Sequence, residues 1–406
     1  MSLPLKIAGN TLIQLVGRLI GAGTTFIITL IVARTYGVTG YGEFTKIVTY
    51  VSVFYLIVDF GLNAVWLHVP KSNFLPLLIT RLLWSFVLVF IALSLLPFLT
   101  IRTGTQEGFT PNVIIGIIVL IPTIITQGIF TSCNALFQQA LRYDRSVIAA
   151  SLGSITTLAL MYLMSRMSAP IHVLLAGYTI GGVVMVICAG LLGGRYVRAS
   201  SFRASEFISE GKTLMLRSVP LGLTLILSLI QFKADIFLLT LYRTTEEVGI
   251  YGLATKFFEF PLAVPIFVMN AVYPLLVQQS AEKSHAKLVE NLRMWLFISA
   301  VCIGLICIIA APLLVLIDDA FKASVLPFRV LSGLLPIFYL SALYVWVLIA
   351  RKQQWALVWV YTVGMVLNIG LNMVFIPRFG ILAAAIVTGI SEVVVLFLLY
   401  QRIREK

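Results

Sequence analysis

Stretches of about 20 apolar residues follow one another along almost the whole chain, each closed by glycine, proline or charge. A helix crossing the roughly 30 Å hydrocarbon core of a bilayer needs that length. The stretches lie at about 8–33, 42–66, 75–99, 112–138, 146–165, 171–193, 213–241, 249–278, 289–316, 326–350, 354–376 and 380–401. They predict an all-α integral membrane protein of about twelve transmembrane helices. Only 11% of the 406 residues are charged, against about 25% in a soluble domain. Such a chain has too few polar side chains to coat a globule in water. The first apolar run continues to about Val32, past the roughly 7–15 residues of a secretory leader, and is read as a retained span. No segment between spans exceeds about 25 residues, which leaves no room for a soluble domain.

The charge balance is basic, 29 Lys and Arg against 16 Asp and Glu. In a soluble protein that excess would suggest nucleic acid; here it sets orientation, because Lys and Arg accumulate in cytoplasmic loops. With the N-terminus in the cytoplasm, 17 of the 29 fall at inward ends and loops, Arg81, Arg195, Arg198 and Arg203 among them, and seven at outward ones. Five lie inside spans. The bias repeats loop after loop, so both termini are expected on the cytoplasmic side. Cys133, Cys188, Cys302 and Cys307 sit in apolar runs without ligand or disulfide spacing and read as packing residues. His68, His172 and His285 stand apart near span ends. There is no phosphate-binding loop, no H-E-x-x-H and no nucleophile elbow. Neither an enzyme, a metal nor a cofactor is expected.

The longest connector is basic and divides the chain into a six-helix lobe at 1–194, a cytoplasmic connector at 195–212 and a second six-helix lobe at 213–406. Tyr41-Gly42-Glu43-Phe44-Thr45-Lys46 returns 210 residues later as Tyr251-Gly252-Leu253-Ala254-Thr255-Lys256. Each copy opens the second span of its half, which indicates duplication rather than chance. Both halves begin on the same side, so the repeats are parallel, related by an axis along the membrane normal. Two related lobes are expected to face a central cavity.

Ionisable groups inside hydrocarbon cost at least about 2.5–3.5 kcal/mol on insertion scales, and so mark functional sites by default. The cations are Arg18, Lys46, Arg217, Lys233 and Lys256, and the anions Asp59, Asp235, Glu259 and Glu392. Most fall in spans 1, 2, 7 and 8, the first pair of each half. Cations fixed in a low-dielectric cleft would attract an anion such as a phosphate. Each has a plainer reading. Lys256 and Glu259, at i and i+3, can neutralise each other on one helix face. Lys46 and Arg217 lie near span ends, where they can snorkel. Glu392 can be a structural partner or a protonatable group. Lys233 and Asp235 point to nearly opposite sides of a helix and cannot pair within it. Arg18, about ten residues into its span, is the strongest single candidate. Gly17-x-x-x-Gly21, Gly177-x-x-x-Gly181 and Gly190-x-x-x-Gly194 permit close helix approach. Pro261 and Pro265 should bend the eighth span.

Three islands carry a family resemblance. The first runs from Arg18 through Val32-Ala33-Arg34, Gly37 and Tyr41-Gly42-Glu43-Phe44 to Asp59-Phe60-Gly61-Leu62. The second is Pro220, Asp235, Val248-Gly249-Ile250-Tyr251-Gly252 and Lys256. The third is Asn368-Ile369-Gly370-Leu371-Asn372, Ile376-Pro377-Arg378-Phe379-Gly380-Ile381, Ala383-Ala384-Ala385, Thr388 and Ser391-Glu392. In order and spacing they resemble the Wzx-type polysaccharide flippases of the polysaccharide transport family, within the multidrug/oligosaccharidyl-lipid/polysaccharide (MOP) exporter superfamily.

That resemblance implies a fold like the multidrug and toxin extrusion (MATE) transporters. It also implies translocation of undecaprenyl-diphosphate-linked oligosaccharide units across the bacterial cytoplasmic membrane for surface polysaccharide such as O-antigen, by alternating access with a cationic lumen. Carried over, Arg18, Lys46, Lys233 and Lys256 would meet the diphosphate or acidic sugars, with Arg217 beside them. Asp59, Asp235, Glu259 or Glu392 would take a coupling ion. A polysaccharide polymerase and a chain-length regulator are the implied protein partners. Two rivals are kept: an ion-coupled exporter of small molecules on the same fold, which would want net anionic pockets, and a non-transporting membrane partner of a glycan assembly complex.

Overall fold

The computed structural model describes residues 3–68, 73–100, 107–194, 204–278 and 283–404. Among these there are fifteen α-helices and no strand. They are α1 Leu3–Ile57, α2 Leu62–Leu67, α3 Phe74–Leu99, α4 Pro111–Leu120, α5 Pro122–Gln139, α6 Tyr143–Arg166, α7 Ile171–Leu174 and α8 Ala176–Gly193. There follow α9 Ala204–Tyr242, α10 Thr245–Glu259, α11 Ala263–Gln278, α12 Lys283–Ala310, α13 Val325–Gly333, α14 Leu335–Ala350 and α15 Gln354–Arg404. Two 3₁₀ turns, Ala311–Leu316 and Asp319–Ser324, join α12 to α13. Of the connector, residues 195–203, with Arg195, Arg198 and Arg203, lie outside the described residues; 204–212 open α9.

Nine described stretches are long and apolar enough to cross a bilayer, ten when α13 and α14, bent by 44°, count as one. Two of the nine, Ile13–Leu67 and Gln354–Arg404, run to 55 and 51 residues, near 80 Å of helix against a core of about 30 Å. Both are interrupted by glycine in backbone conformations closed to most side chains, Gly37 at φ 63°, ψ −168° and Gly380 at φ 61°, ψ −141°. The legs of α15 fold back on each other about Gly380. Asn368 Nδ2 donates to Ser391 Oγ at 3.0 Å, and a β-carbon on Gly364 would lie 2.5 Å from the Val395 side chain. Read as two passes each, these stretches bring the total to about twelve, as the hydropathy pattern predicts.

Proline stands at three of the breaks within spans. Pro122 separates α4 from α5, and Pro336 stands in the first turn of α14, at the 44° bend. The eighth span breaks as expected: α10 ends at Glu259, and α11 begins beyond Pro261. Large apolar side chains are exposed along the helices, Phe90 at 70% and Ile309 at 76%, as lipid-facing surface requires.

The chain forms two compact units. The first comprises Met1–Thr35, Lys46–Ile101 and Phe109–Gly222. In it α8 sits backbone-close on α6: a β-carbon on Gly181 would meet the Thr157 hydroxyl and lie 2.7 Å from the Gly153 carbonyl oxygen. The Gly177-x-x-x-Gly181 stripe thus does the packing its spacing suggests. Gly17 lies against Val147, whereas Gly21, Gly190 and Gly194 face open space.

The second unit comprises Tyr36–Thr45, Arg102–Gly108 and Leu223–Lys406. Arg243, between α9 and α10, donates to Glu247 at 2.6 and 2.7 Å and lies over Gly380, so it braces the turn of α15. The hydrogen bonds to Glu247 raise its guanidinium further above the usual range.

Candidate functional site

Three intramembrane charges meet in the second unit. Glu259, the last residue of α10, accepts from Lys233 Nζ on α9 at 2.5 Å and from Lys256 Nζ one turn back at 3.0 Å. The expected Lys256–Glu259 pair therefore exists but is not self-contained. Two ammonium groups share one carboxylate, and the cluster keeps a surplus positive charge. It is neither sealed nor fully solvated: the side chains are 13% exposed for Lys233, 31% for Lys256 and 25% for Glu259. The local fold explains the meeting. Pro261 ends α10 just past Glu259, and its carbonyl accepts from the Tyr339 hydroxyl of α14 at 2.7 Å, which fixes the broken end.

One face of α9 carries Gln231 and Asp235, a helical turn apart. The second leg of α15 carries Thr388 and Glu392 at the same interval. They face each other as two rungs, Gln231 Nε2 to Glu392 Oε2 at 3.4 Å and the Thr388 hydroxyl to Asp235 Oδ2 at 3.5 Å. Asp235 also accepts from the Tyr251 hydroxyl and from the Ile236 amide at 2.8 Å. Lys233 and Asp235 serve different networks, as their angular separation requires.

Beside Glu392 the unit has a partly open pocket of about 300 Å³, whose polar lining includes Ser228, Gln231, Ser341, Tyr361 and Asn368. Asn372 Nδ2 donates to Asn368 Oδ1 at 3.0 Å, and Asn368 in turn donates to Ser391. Asn368, Asn372, Thr388, Ser391 and Glu392, separate in the third resemblance island, are thus neighbours across the fold of α15.

The remaining candidates belong to the first unit. Asp59 lies where α1 gives way to α2, in a turn with Phe60 at φ 45° and Gly61 at φ 74°. It pairs with Arg81 of α3 at 3.2 Å. Arg81 also donates to Asn63 Oδ1 at 2.8 Å and to Ser132 Oγ at 3.1 Å. Arg81 was placed among the membrane-end cations by sequence; its side chain is instead 0% exposed and anchors a network. Lys46 is 1% exposed, so protein encloses it and it does not snorkel. Arg18 and Arg217 are exposed on α1 and α9.

Gln231, Tyr251, Arg81, Asn368 and Asn372 join these networks without being among the site residues expected from sequence. Three of them carry a signal: Gln231 stands four residues before Asp235, and Asn368 and Asn372 sit four apart in an otherwise apolar run.

Solved structures share this architecture throughout. The lipid II flippase MurJ in an inward closed conformation matches with a TM-score of 0.76 at 14% identity, over 97% of this chain and 87% of that one. An inward-facing multidrug resistance MATE transporter of the MOP superfamily matches at 0.75 and 12% identity, over 97% and 98%. The eukaryotic MATE transporter AtDTX14 matches at 0.69 and 12%, over 98% and 97%. The fold is therefore the one that these flippase and transporter structures share. The chain belongs to the polysaccharide biosynthesis protein family, whose model matches residues 7–280. No curated protein sequence matches it significantly.

Proposed function

We propose that this protein is a flippase that moves undecaprenyl-diphosphate-linked oligosaccharide units across the bacterial inner membrane for surface polysaccharide, with both termini in the cytoplasm. The observation that carries the reading is the Lys233–Glu259–Lys256 cluster, two cations on one carboxylate at partly exposed positions within membrane spans. A diphosphate can displace Glu259 from either ammonium and gain charge-assisted hydrogen bonds without leaving a buried cation bare. Arg18, Lys46 and Arg217 supply further positive charge. The prenyl tail stays in lipid while the headgroup crosses by alternating access, and Asp59, Asp235, Glu259 and Glu392 are the groups from which an ion coupling would draw. A polysaccharide polymerase and a chain-length regulator are the partners such a product requires. An exporter of cationic drugs would need the opposite polarity at the cluster.

The test is complementation of a flippase-deficient strain. Lys233→Ala and Lys256→Ala, each present at wild-type abundance, are expected to cut surface glycan at least tenfold. Full surface glycan from both variants overturns the reading.

A further inference from the structure

We propose that the end of the second unit where α14 stops and α15 both starts and stops is a binding site for the headgroup of an anionic phospholipid of the surrounding bilayer. The inference does not depend on the cargo.

Cations from three helices converge there. Arg351 and Lys352 form the turn from α14 into α15, and Arg402 and Arg404 lie in the last turn of α15. Arg351 Nη1 donates to the Ile403 carbonyl at 3.2 Å, which ties that turn to the far end of α15. The Arg402 guanidinium lies 5.3 Å from the centre of the Trp359 ring on the first leg, and that of Arg404 lies 5.2 Å from the Tyr400 ring. Tyr400 packs on Tyr344 of α14 at 6.0 Å, and Arg293 of α12 faces the Tyr344 hydroxyl. One carboxylate stands against them, Glu290, 3.7 Å from Arg293. Among the described residues Arg351, Lys352 and Arg404 enter no ion pair. Glu405 and Lys406, which follow, cancel in formal charge.

Exposed indoles set the depth of these cations. Trp355 and Trp359, a helical turn apart on α15, are 63% and 48% exposed, and Trp295, two residues beyond Arg293, is 54% exposed. Indoles collect at the level of lipid headgroups, so a guanidinium stacked on one lies at the height of the phosphates. Stacking engages the face of a guanidinium and leaves its N–H edge for oxygen, and that planar fork matches a phosphate. Lys352 stands at φ 58°, a left-handed conformation that a residue with a β-carbon seldom adopts; the tight turn sets it beside Arg351. A zwitterionic headgroup brings an ammonium that the surplus positive charge repels, whereas an anionic one brings none. A soluble acidic surface would match the charge but would have to displace lipid from the indoles. The general bias of cations towards one side of a membrane requires no such ordering.

The test is native mass spectrometry of the full chain, released from detergent containing equimolar phosphatidylglycerol and phosphatidylcholine with the same acyl chains. The wild type should retain the anionic lipid at least about threefold over the zwitterionic one. Arg351→Gln combined with Arg402→Gln and Arg404→Gln should bring the ratio to about one. Arg166→Gln, which removes an arginine stacked on Tyr162 in the first unit, should leave the ratio as it was. Lys352→Glu, a single change at an exposed turn, should lower the ratio at least about twofold, and it serves even where the triple variant does not accumulate. Equal retention of the two lipids by the wild type overturns the proposal, as does an undiminished ratio in either variant of the patch. Added farnesyl diphosphate should leave phosphatidylglycerol bound; if it displaces that lipid at equal concentration, the site is one for a prenyl-diphosphate carrier, and the assignment to bulk phospholipid fails.

Discussion

Gly249 packs its bare Cα against the backbone of Gly42: a β-carbon at 249 would lie 2.9 Å from the Gly42 amide nitrogen and closer still to the Val38 carbonyl oxygen. A β-carbon at Gly42 would in turn strike the Thr245 carbonyl. Gly42 of the repeated motif and Gly249, two residues before its second copy, are thus where a segment of the first half crosses a helix of the second at backbone distance. Gly42→Ala or Gly249→Ala should cost about 1–3 kcal/mol, towards the upper end because the obstructing atoms are backbone. Thermal unfolding in detergent reads this as a lowered Tm, and an unchanged Tm in both variants contradicts the packing.

The Asp59–Arg81 pair should respond asymmetrically. Arg81 is fully enclosed while the Asp59 side chain is 44% exposed. Asp59→Ala leaves a buried guanidinium without its counter-charge and should cost about 3–5 kcal/mol. Arg81→Leu leaves a carboxylate that water can reach and should cost less. Equal losses of folded protein would show that the burial is not what governs the pair.

Tyr251→Phe removes one donor from Asp235, a carboxylate that is 3% exposed. A hydrogen bond to a charged group contributes about 1.5–3 kcal/mol. The loss should appear in Tm, and Tyr251→Phe combined with Asp235→Asn should cost less than the sum of the two single changes. Strict additivity would sever the two residues.

Glu259→Ala leaves Lys233 and Lys256 facing each other without their shared anion. Abundance should fall in this variant and recover in part when Lys256→Ala is added, because the double change removes the repulsion. No recovery would mean that Glu259 acts elsewhere.

Much of this was legible in the sequence because the bilayer imposes it. Length and apolarity placed the spans, and Pro261 marked a break that lies beside Glu259. The Tyr-Gly-x-x-Thr-Lys repeat pointed to positions whose glycines pack tightly. What could not be read was which charge meets which. Lys233 finds Glu259 across 26 residues, and Gln231 finds Glu392 across 161; no periodicity within one helix encodes a partner on another. Arg81 misled for the same reason, since a cation near a span end looks identical whether it reaches for water or for a buried carboxylate. Neutral amides such as Gln231 and Asn368 drew no notice because a search for charge does not register them.

In the proposed flippase the lysine cluster receives a lipid-borne diphosphate. The direct measurement is translocation, in proteoliposomes of the purified protein, of a fluorescent prenyl-diphosphate oligosaccharide, scored by access of a membrane-impermeant enzyme to the sugar. The wild-type protein should move it from one leaflet to the other, and Lys233→Ala combined with Lys256→Ala should reduce the rate at least tenfold with protein content unchanged. Translocation at the wild-type rate by that double variant would show that the two lysines do not receive the diphosphate.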